Sequence, residues 1–274
     1  MQPYIELAFR FHVNFYHSYR GDTPDELGFG KDIRVIRHIV EMLDRFNEAG
    51  CAIRGTWDIE NAFSLGDIMP EHCPDLITAL QRRVRERGDE IEVMSYNNGL
   101  ITAHTAREFQ VAIGRAFTNA EGSGLADVFP TVAPVVRPQE MMYTPRHLEL
   151  YRACGVEAIS LFYSAVPFNA FSNFIAPLPL HQRYNPLTLS YPGMEESLTL
   201  IPAYNHGDIA DHLSLRRWIT RLRQQQLEMA TPADLLLLID ADADDEYWAG
   251  YDWPILGRLL TAAQGLQGLV DSIK

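Results

Sequence analysis

Short apolar runs alternate with longer amphipathic runs along most of the chain. The apolar runs predict seven strands, at residues 4–13, 51–57, 90–95, 132–137, 158–162, 198–202 and 235–239. The last run, LLLLI, has no polar interruption, which is typical of a strand that is covered on both faces. The chain therefore alternates regularly between strand and helix patterns.

The runs between the strands predict helices. In residues 32–49 the hydrophobic side chains recur at helical spacing, and Gly50 follows the predicted end of the helix. Further helices are predicted at 74–87, at 105–119, from 145 to just before Gly155, at 214–228 with Ser214 as the cap, and at 253–263.

This alternation predicts parallel strands joined by right-handed crossovers. Neither a GxGxxG motif nor a P-loop follows the first strand, which argues against a nucleotide-binding open sheet. We therefore predict an α/β fold, a (β/α)7-type parallel barrel, irregular or incomplete in places, that forms a single catalytic domain over residues 1–274. The aromatic, proline-rich stretch 163–192 is predicted to be a long loop over the mouth of the site.

Composition narrows the classes of partner. The net charge of −13 disfavours nucleic acid and anionic membrane surfaces, whereas neutral substrates such as sugars stay compatible with it. Three cysteines without a CxxC motif argue against a disulfide framework and a cysteine-based zinc site. Neither a leader pattern nor a run of about eighteen apolar residues is seen, so a cytoplasmic location is expected, although a mature protein without its leader would look the same.

Polar residues gather at the predicted strand ends. In parallel α/β barrels the active site lies at the carboxyl ends of the strands. Six of the seven predicted ends carry such residues: His12 and Asn14; Asp58 and Glu60; Glu92, with His104 in the following loop; Arg137, Gln139 and Glu140; Tyr204, Asn205, His206 and Asp208; and Asp240, Asp242 and Asp244. Their convergence on one face predicts a site.

Several of these residues also fit simpler roles. Asp58 and Glu60 fit equally well as caps of the turn that follows them. Glu140 precedes Met-Met-Tyr, an apolar setting in which an unpaired charge is costly, so we expect it to be functional. Asp240 follows the last strand directly, whereas Asp244 is more typical of the surface. Among the aromatic residues, Trp57 and Trp248 are expected to stack on sugar rings.

In their order along the chain, four segments resemble the motifs of glycoside hydrolase family 57 and, more distantly, those of family 38 and the polysaccharide deacetylases. They are His12-Val13-Asn14 (HxP type), Ile91-Glu92-Val93-Met94-Ser95 (IEVxS type), Arg137-Pro138-Gln139-Glu140 (WxPE type) and residues 239–254, IDADADDEYWAGYDWP (DDGEKFGxWPG type). The chain departs from the family pattern at Asn14, which replaces a proline, at Arg137, which replaces a tryptophan, and in having no glycine at the tight turn of the last motif.

The resemblance implies a retaining glycoside hydrolase or transglycosylase that acts on an oligo- or polysaccharide. No cofactor is expected, and no metal either, because an HxxxH pair and an aspartate on the first strand are both missing. Glu140 would be the nucleophile and Asp240 or Asp242 the acid/base, with carboxyl groups about 5–5.5 Å apart. The residues expected to bind substrate are His12, Asn14, Trp57, Asp58, Glu92, His104, Tyr204, His206 and Trp248. The family carries a helical domain beyond the barrel, so either the barrel stands alone, or a homo-oligomer or partner chain completes the cleft.

Two other functions stay open at this point. A metal-dependent polysaccharide deacetylase would need an aspartate on the first strand and an HxxxH pair, but His104 has Glu108 four residues on. His206-Gly207-Asp208 has HxD spacing, which leaves a metal site there open. The second alternative is a catalytically inactive sugar-binding barrel.

Overall fold

The structure is a computed structural model that describes residues 3–15, 30–163, 178–244 and 248, with the backbone alone for His206 and Ala210. The predicted helix 253–263 and residues 164–177 of the predicted loop lie outside the described residues.

Eight strands are present in the described part of the chain: β1 (Ile5–Val13), β2 (Thr56–Ile59), β3 (Glu90–Glu92), β4 (Val135–Val136), β5 (Ala158–Phe162), β6 (Leu187–Leu189), β7 (Leu198–Ala203) and β8 (Leu235–Asp242). They form two four-stranded sheets, ordered β3-β2-β1-β8 and β4-β5-β7-β6. All strand pairs are parallel except β6 with β7, which is antiparallel.

Two backbone bridges join these sheets into a barrel. Val93 pairs with Val136 between β3 and β4, and Tyr204 pairs with Ile239 between β7 and β8. Seven parallel strands therefore follow one another around a ring in the order β1-β2-β3-β4-β5-β7-β8. The predicted α/β class and (β/α)7-type barrel are confirmed.

The helices of the described residues are α1 (Gly30–Glu48), α2 (Met69–His72), α3 (Pro74–Arg87), α4 (Ala106–Phe117), α5 (Leu125–Val128), α6 (His147–Ala153), α7 (Leu180–Arg183), α8 (His206–Asp211) and α9 (Leu215–Glu228), with a π-helical segment at Asn61–Ile68 and 3-10 turns at Ile101–Ala103 and Gln139–Met141. Ser214 caps α9 as predicted, since its side chain accepts a hydrogen bond from the Arg217 amide. Within the described ranges, none of these helices has the length and hydropathy needed to cross a membrane.

Local interactions explain where the strands differ from the prediction. β2 starts later than expected because the Asn47 side-chain amide binds the carbonyls of Cys51 and Ile53, which keeps this backbone out of the sheet. β4 has two residues because Pro134 and Pro138, which lack amide protons, flank it. The described end of the predicted loop, residues 178–192, contains α7 and the short strand β6.

Strand register decides which side chains enter the barrel lumen. Arg10 of β1 lies opposite Asp240 of β8, and His12 lies opposite both Asp58 and Asp242. Asp58 in turn lies opposite Glu92 of β3. Because alternate residues of a strand share a face, these charged side chains all point into the lumen. The intervening hydrophobic side chains face the surrounding helices.

Candidate active site at the carboxyl ends of the strands

A cavity of about 190 Å³ opens among the carboxyl ends of the strands, where a barrel enzyme carries its site. It is lined by His12, Asn14, Arg137, Gln139, Glu140, Phe162, Asn205, Asp240, Ala241, Asp242 and Asp244. Most of these are polar residues that the strand-end argument had named. Phe162 is the aromatic side chain of the lining, in place of the two expected tryptophans.

Arg10 lies outside the cavity lining and contacts Asp240, which is part of that lining. Its side chain is fully buried, with Nη1 3.1 Å from Asp240 Oδ2 and Nη2 2.6 Å from Glu92 Oε2. Burial opposes its charge, but the neighbouring carboxylates raise its pKa above the ordinary value. Sequence reasoning missed Arg10, although a cation between Phe9 and Phe11 in an otherwise apolar strand interior was a signal for a buried ion pair.

A second arginine approaches Asp240 from the far side of the lumen. The Nε atom of Arg137 lies 3.2 Å from each carboxylate oxygen of Asp240 and 3.9 Å from Asp58 Oδ2. Burial opposes the charge of Arg137 as well, but these aspartates raise its pKa. Asp240, which follows the last predicted strand, is thus fully buried between two guanidinium groups.

His12 and Asp58 form a third buried pair, with His12 Nδ1 2.7 Å from Asp58 Oδ2. Burial and the charge of Arg137 work against protonation of His12, but Asp58 and Asp242 raise its pKa overall. Burial would raise the pKa of Asp58, yet His12 and the two arginines lower it. Asp58 therefore belongs to the site.

Glu60, the other acidic residue of this strand end, is a cap. Its carboxylate accepts hydrogen bonds of 2.6–3.1 Å from the amides of Ala62, Phe63 and Ser64, at the start of the π-helical segment. The sequence left both a site role and a capping role open for Asp58 and Glu60. In the structure Asp58 belongs to the site and Glu60 is the cap.

Glu140 lies at the mouth of the cavity and is exposed, unlike the buried setting that its apolar neighbours suggested. Its backbone adopts the left-handed conformation, with φ 53° and ψ 23°, and Met141 also has a φ of 53°. Such angles cost energy for residues other than glycine, and they cluster at active sites. Gln139 donates a 3.3 Å hydrogen bond to the Glu140 carboxylate.

Two further aspartates, Asp242 and Asp244, line the cavity beyond Asp240. Asp242 is exposed, whereas Asp244 is half-buried. Burial, with the charges of Asp242 and Asp32, raises the pKa of Asp244 to about 7. Asp244 was expected at the surface, but the Ala243 amide binds the His12 carbonyl at 2.7 Å and keeps this turn beside the lumen.

The two tryptophans expected to bind sugar lie in the core. Trp57 is fully buried against Phe11, at a ring-centroid distance of 4.7 Å, and its indole donates to Asp89. Trp248 is also fully buried and packs edge-on against Phe11 at 5.0 Å. Register explains this placement for Trp57, which lies opposite Phe11 on the strand face away from the lumen.

The structure does not bring Tyr204 and His104 to the cavity either. Tyr204 is buried, stacks on Tyr184 at 5.1 Å and donates to the Arg183 carbonyl. His104 is half-buried in the loop after β3, outside the cavity lining. The side chain of His206 lies outside the described residues. Of the expected substrate-binding set, His12 and Asn14 line the cavity, and Asp58 and Glu92 lie in the lumen beside them.

Among the side chains that the structure describes, no group of three or more histidine, cysteine, aspartate or glutamate residues is arranged to hold a metal ion.

Glu92 is expected to make the stability of the protein depend on pH. Burial raises the pKa of Glu92 to about 7, despite the favourable charge of Arg10. Between about pH 5 and 7 the folded protein therefore keeps a proton that the unfolded chain has lost, so the free energy of unfolding falls as pH rises. The shift from 4.5 corresponds to a loss on the order of 3 kcal/mol.

Urea unfolding of Glu92→Gln from pH 5 to 8 checks this prediction, because glutamine cannot titrate and should make the fall in stability less steep over that range. Part of the remaining slope is expected from Asp244, whose pKa is also raised to about 7. Glu90→Gln, at an exposed position of the same strand, is the matched control and should keep the wild-type slope. An unchanged slope in Glu92→Gln would show that Glu92 is not the responsible group.

Comparison with solved structures relates this architecture to known proteins. A 4-alpha-glucanotransferase from Thermococcus litoralis superposes with a TM-score of 0.69 at 16% identity, covering 98% of this chain and 38% of its own. A putative polysaccharide deacetylase from Mycobacterium smegmatis superposes with a TM-score of 0.58 at 14% identity, covering 100% of this chain and 84% of its own.

These likenesses show the fold. The chain spans 38% of the length of the glucanotransferase, so it corresponds to one part of that longer protein. At the level of sequence, neither a known protein family nor a curated protein matches the chain.

Proposed function

We propose that this barrel is the catalytic domain of a retaining enzyme that cleaves or transfers glycosidic bonds in an oligo- or polysaccharide, with Glu140 as the nucleophile. The observation that carries the proposal is the strained backbone of Glu140 at the mouth of a cavity whose lining includes three aspartates of a single strand end. The two structural neighbours, one named for a reaction on glucan and the other on polysaccharide, support a carbohydrate substrate.

A retaining mechanism needs one ionised carboxylate and a second that holds a proton. Glu140, at the mouth of the cavity, is the proposed nucleophile. Asp240 was one candidate for the acid/base, but Arg10 and Arg137 already occupy both of its carboxylate oxygens. The acid/base is therefore better sought among the later aspartates of the same strand end.

We assign proton donation to Asp244, with Asp242 beside it as the charge that helps to keep it protonated. The raised pKa of Asp244, about 7, supports this choice because a general acid works best with a pKa close to the working pH. Asp242, the other acid/base candidate from the sequence, lines the same cavity and is tested in parallel.

The proposed reaction has two steps. Glu140 attacks the anomeric carbon and forms a glycosyl-enzyme, while Asp244 protonates the departing oxygen. Asp244 then removes a proton from water or from an acceptor sugar, which releases the glycosyl group with its original anomeric configuration. His12, Asn14 and Asn205 line the cavity and are proposed to bind sugar hydroxyls.

The proposal is tested with a panel of aryl glycosides that differ in sugar and anomeric configuration, together with oligosaccharides. We expect the wild-type protein to release the aryl group and Glu140→Gln to fail. Glu86→Gln, an exposed glutamate of α3, is the matched control and should keep wild-type activity. Release of acetate from acetylated oligosaccharides, abolished by a chelator, would favour the deacetylase alternative. Sugar binding without turnover would favour the inactive barrel.

A further inference from the structure

We propose that the Arg137–Asp240 ion pair is a tie across the barrel lumen that sets the separation between the nucleophile and the acid/base. In this role Arg137 and Asp240 are positioning residues, and Arg10 supports Asp240 from below. The inference rests on the proposed function, because it concerns the spacing of the same catalytic carboxylates.

The tie joins opposite walls of the barrel. Around the ring, β4 and β8 are separated by β5 and β7 on one side and by β3, β2 and β1 on the other. Arg137 directly follows β4, and Asp240 lies in β8, so their contact spans the lumen. The Nε atom of Arg137 is 3.2 Å from both carboxylate oxygens, which fixes direction as well as distance.

Both ends of the tie are held by neighbouring strands. The Arg137 amide donates to the Val93 carbonyl at 3.1 Å, and the Asp240 amide donates to the Tyr204 carbonyl at 2.7 Å. Arg10 contacts the Asp240 carboxylate at 3.1 Å and is itself fully buried. The backbone is therefore held by a neighbouring strand at both ends of the pair, and the Asp240 carboxylate is also held by Arg10.

The reacting groups lie close to the tie along the chain. Glu140 comes three residues after Arg137, and Asp242 and Asp244 come two and four residues after Asp240. A retaining enzyme needs its carboxyl groups about 5–5.5 Å apart, whereas about 6.5–9.5 Å leaves room for a water and favours inversion. A cross-lumen contact between residues that line the same cavity as both carboxylates is well placed to keep the shorter distance.

A second buried pair in the same chain provides the control. Arg83 Nε is 2.8 Å from Asp89 Oδ2, Arg83 Nη2 is 2.9 Å from Asp89 Oδ1, and both side chains are fully buried. Neither residue lines the cavity. Arg83→Lys should therefore lower thermal stability as Arg137→Lys does, without changing the chemistry.

The kinetic test compares Arg137→Lys, Asp240→Asn and Arg83→Lys on aryl glycosides. We expect kcat to fall about 10²-fold in the first two variants with little change in KM, since a misplacement of about 1 Å has that effect on rate. The first product formed, followed by NMR, should include a fraction with inverted configuration. Arg83→Lys should keep the wild-type kcat and full retention. If Arg137→Lys keeps the wild-type kcat, or if Arg83→Lys lowers kcat by the same factor, the inference is wrong.

A crystal structure of Arg137→Met tests the tie without relying on activity. We expect the distance between the Glu140 and Asp244 carboxyl groups to increase by about 1 Å or more relative to the wild-type protein. An unchanged distance would overturn the inference even if activity falls. If the wild-type protein does not act on glycosides, the proposed function is wrong. The distance between the two carboxyl groups in Arg137→Met still shows whether the Arg137–Asp240 pair sets their separation.

Discussion

Replacing Glu140 by alanine is expected to lower kcat on aryl glycosides by on the order of 10⁴-fold or more, because loss of a nucleophile removes the covalent route altogether. Added azide should restore part of the rate by occupying the space of the missing carboxylate and attacking the anomeric carbon. The product should then be a glycosyl azide of inverted configuration, since a single displacement replaces the two steps of the wild-type reaction.

Stability measurements separate this effect from unfolding. Glu140 is exposed, and its side chain has one described hydrogen bond, from Gln139. Truncation at this position should therefore leave the melting temperature nearly unchanged, and Glu86→Ala should leave both stability and rate unchanged. Full activity in Glu140→Ala would rule out this nucleophile and make Glu92 and Asp58 the next carboxylates to test.

Replacing Asp244 by alanine is expected to slow cleavage of natural oligosaccharides about 10²–10⁴-fold, the usual contribution of general acid catalysis. Aryl glycosides with activated phenols should lose much less in the bond-breaking step, because such leaving groups depart without a proton. The wild-type rate on natural substrates should fall as pH rises through about 7, where Asp244 loses its proton, and the variant should lack this dependence.

Asp242→Ala is the matched comparison for this experiment, since both aspartates line the cavity and follow one another closely at the same strand end. If Asp242→Ala alone shows the leaving-group effect, Asp242 is the acid/base and Asp244 its neighbour. If neither variant distinguishes natural from activated substrates, the acid/base lies elsewhere and the assignment to this strand end is wrong.

Much of the fold followed from the sequence because its elements are encoded locally. The predicted helix 74–87 and strand 158–162 match α3 and β5 in both bounds. Their hydrophobic periodicity and flanking glycines, Gly88 and Gly155, contain the necessary information. The short strand β6 was missed, because three residues carry no periodic signal.

The sequence also located the site in general terms. Parallel strands bring their carboxyl ends to one face, so the strand-end residues His12, Asn14 and Asp242 were predicted together and line one cavity. The same argument could not tell a residue that faces the lumen from one that faces the helices. Trp57 and Tyr204 were therefore expected in the site, although both lie in the core.

Only the tertiary structure decided how the charges are paired. Arg10 and Asp240 are 230 positions apart in the chain, and Arg137 and Asp240 are 103 apart, so no local pattern links them. Strand order and register bring these groups together, and burial then makes their pairing necessary, since an isolated charge in the lumen would be too costly. The sequence by itself determined the barrel and the face that carries its polar residues. Long-range packing decided that Asp240 is held by two arginines, while Asp242 and Asp244 stay at the cavity.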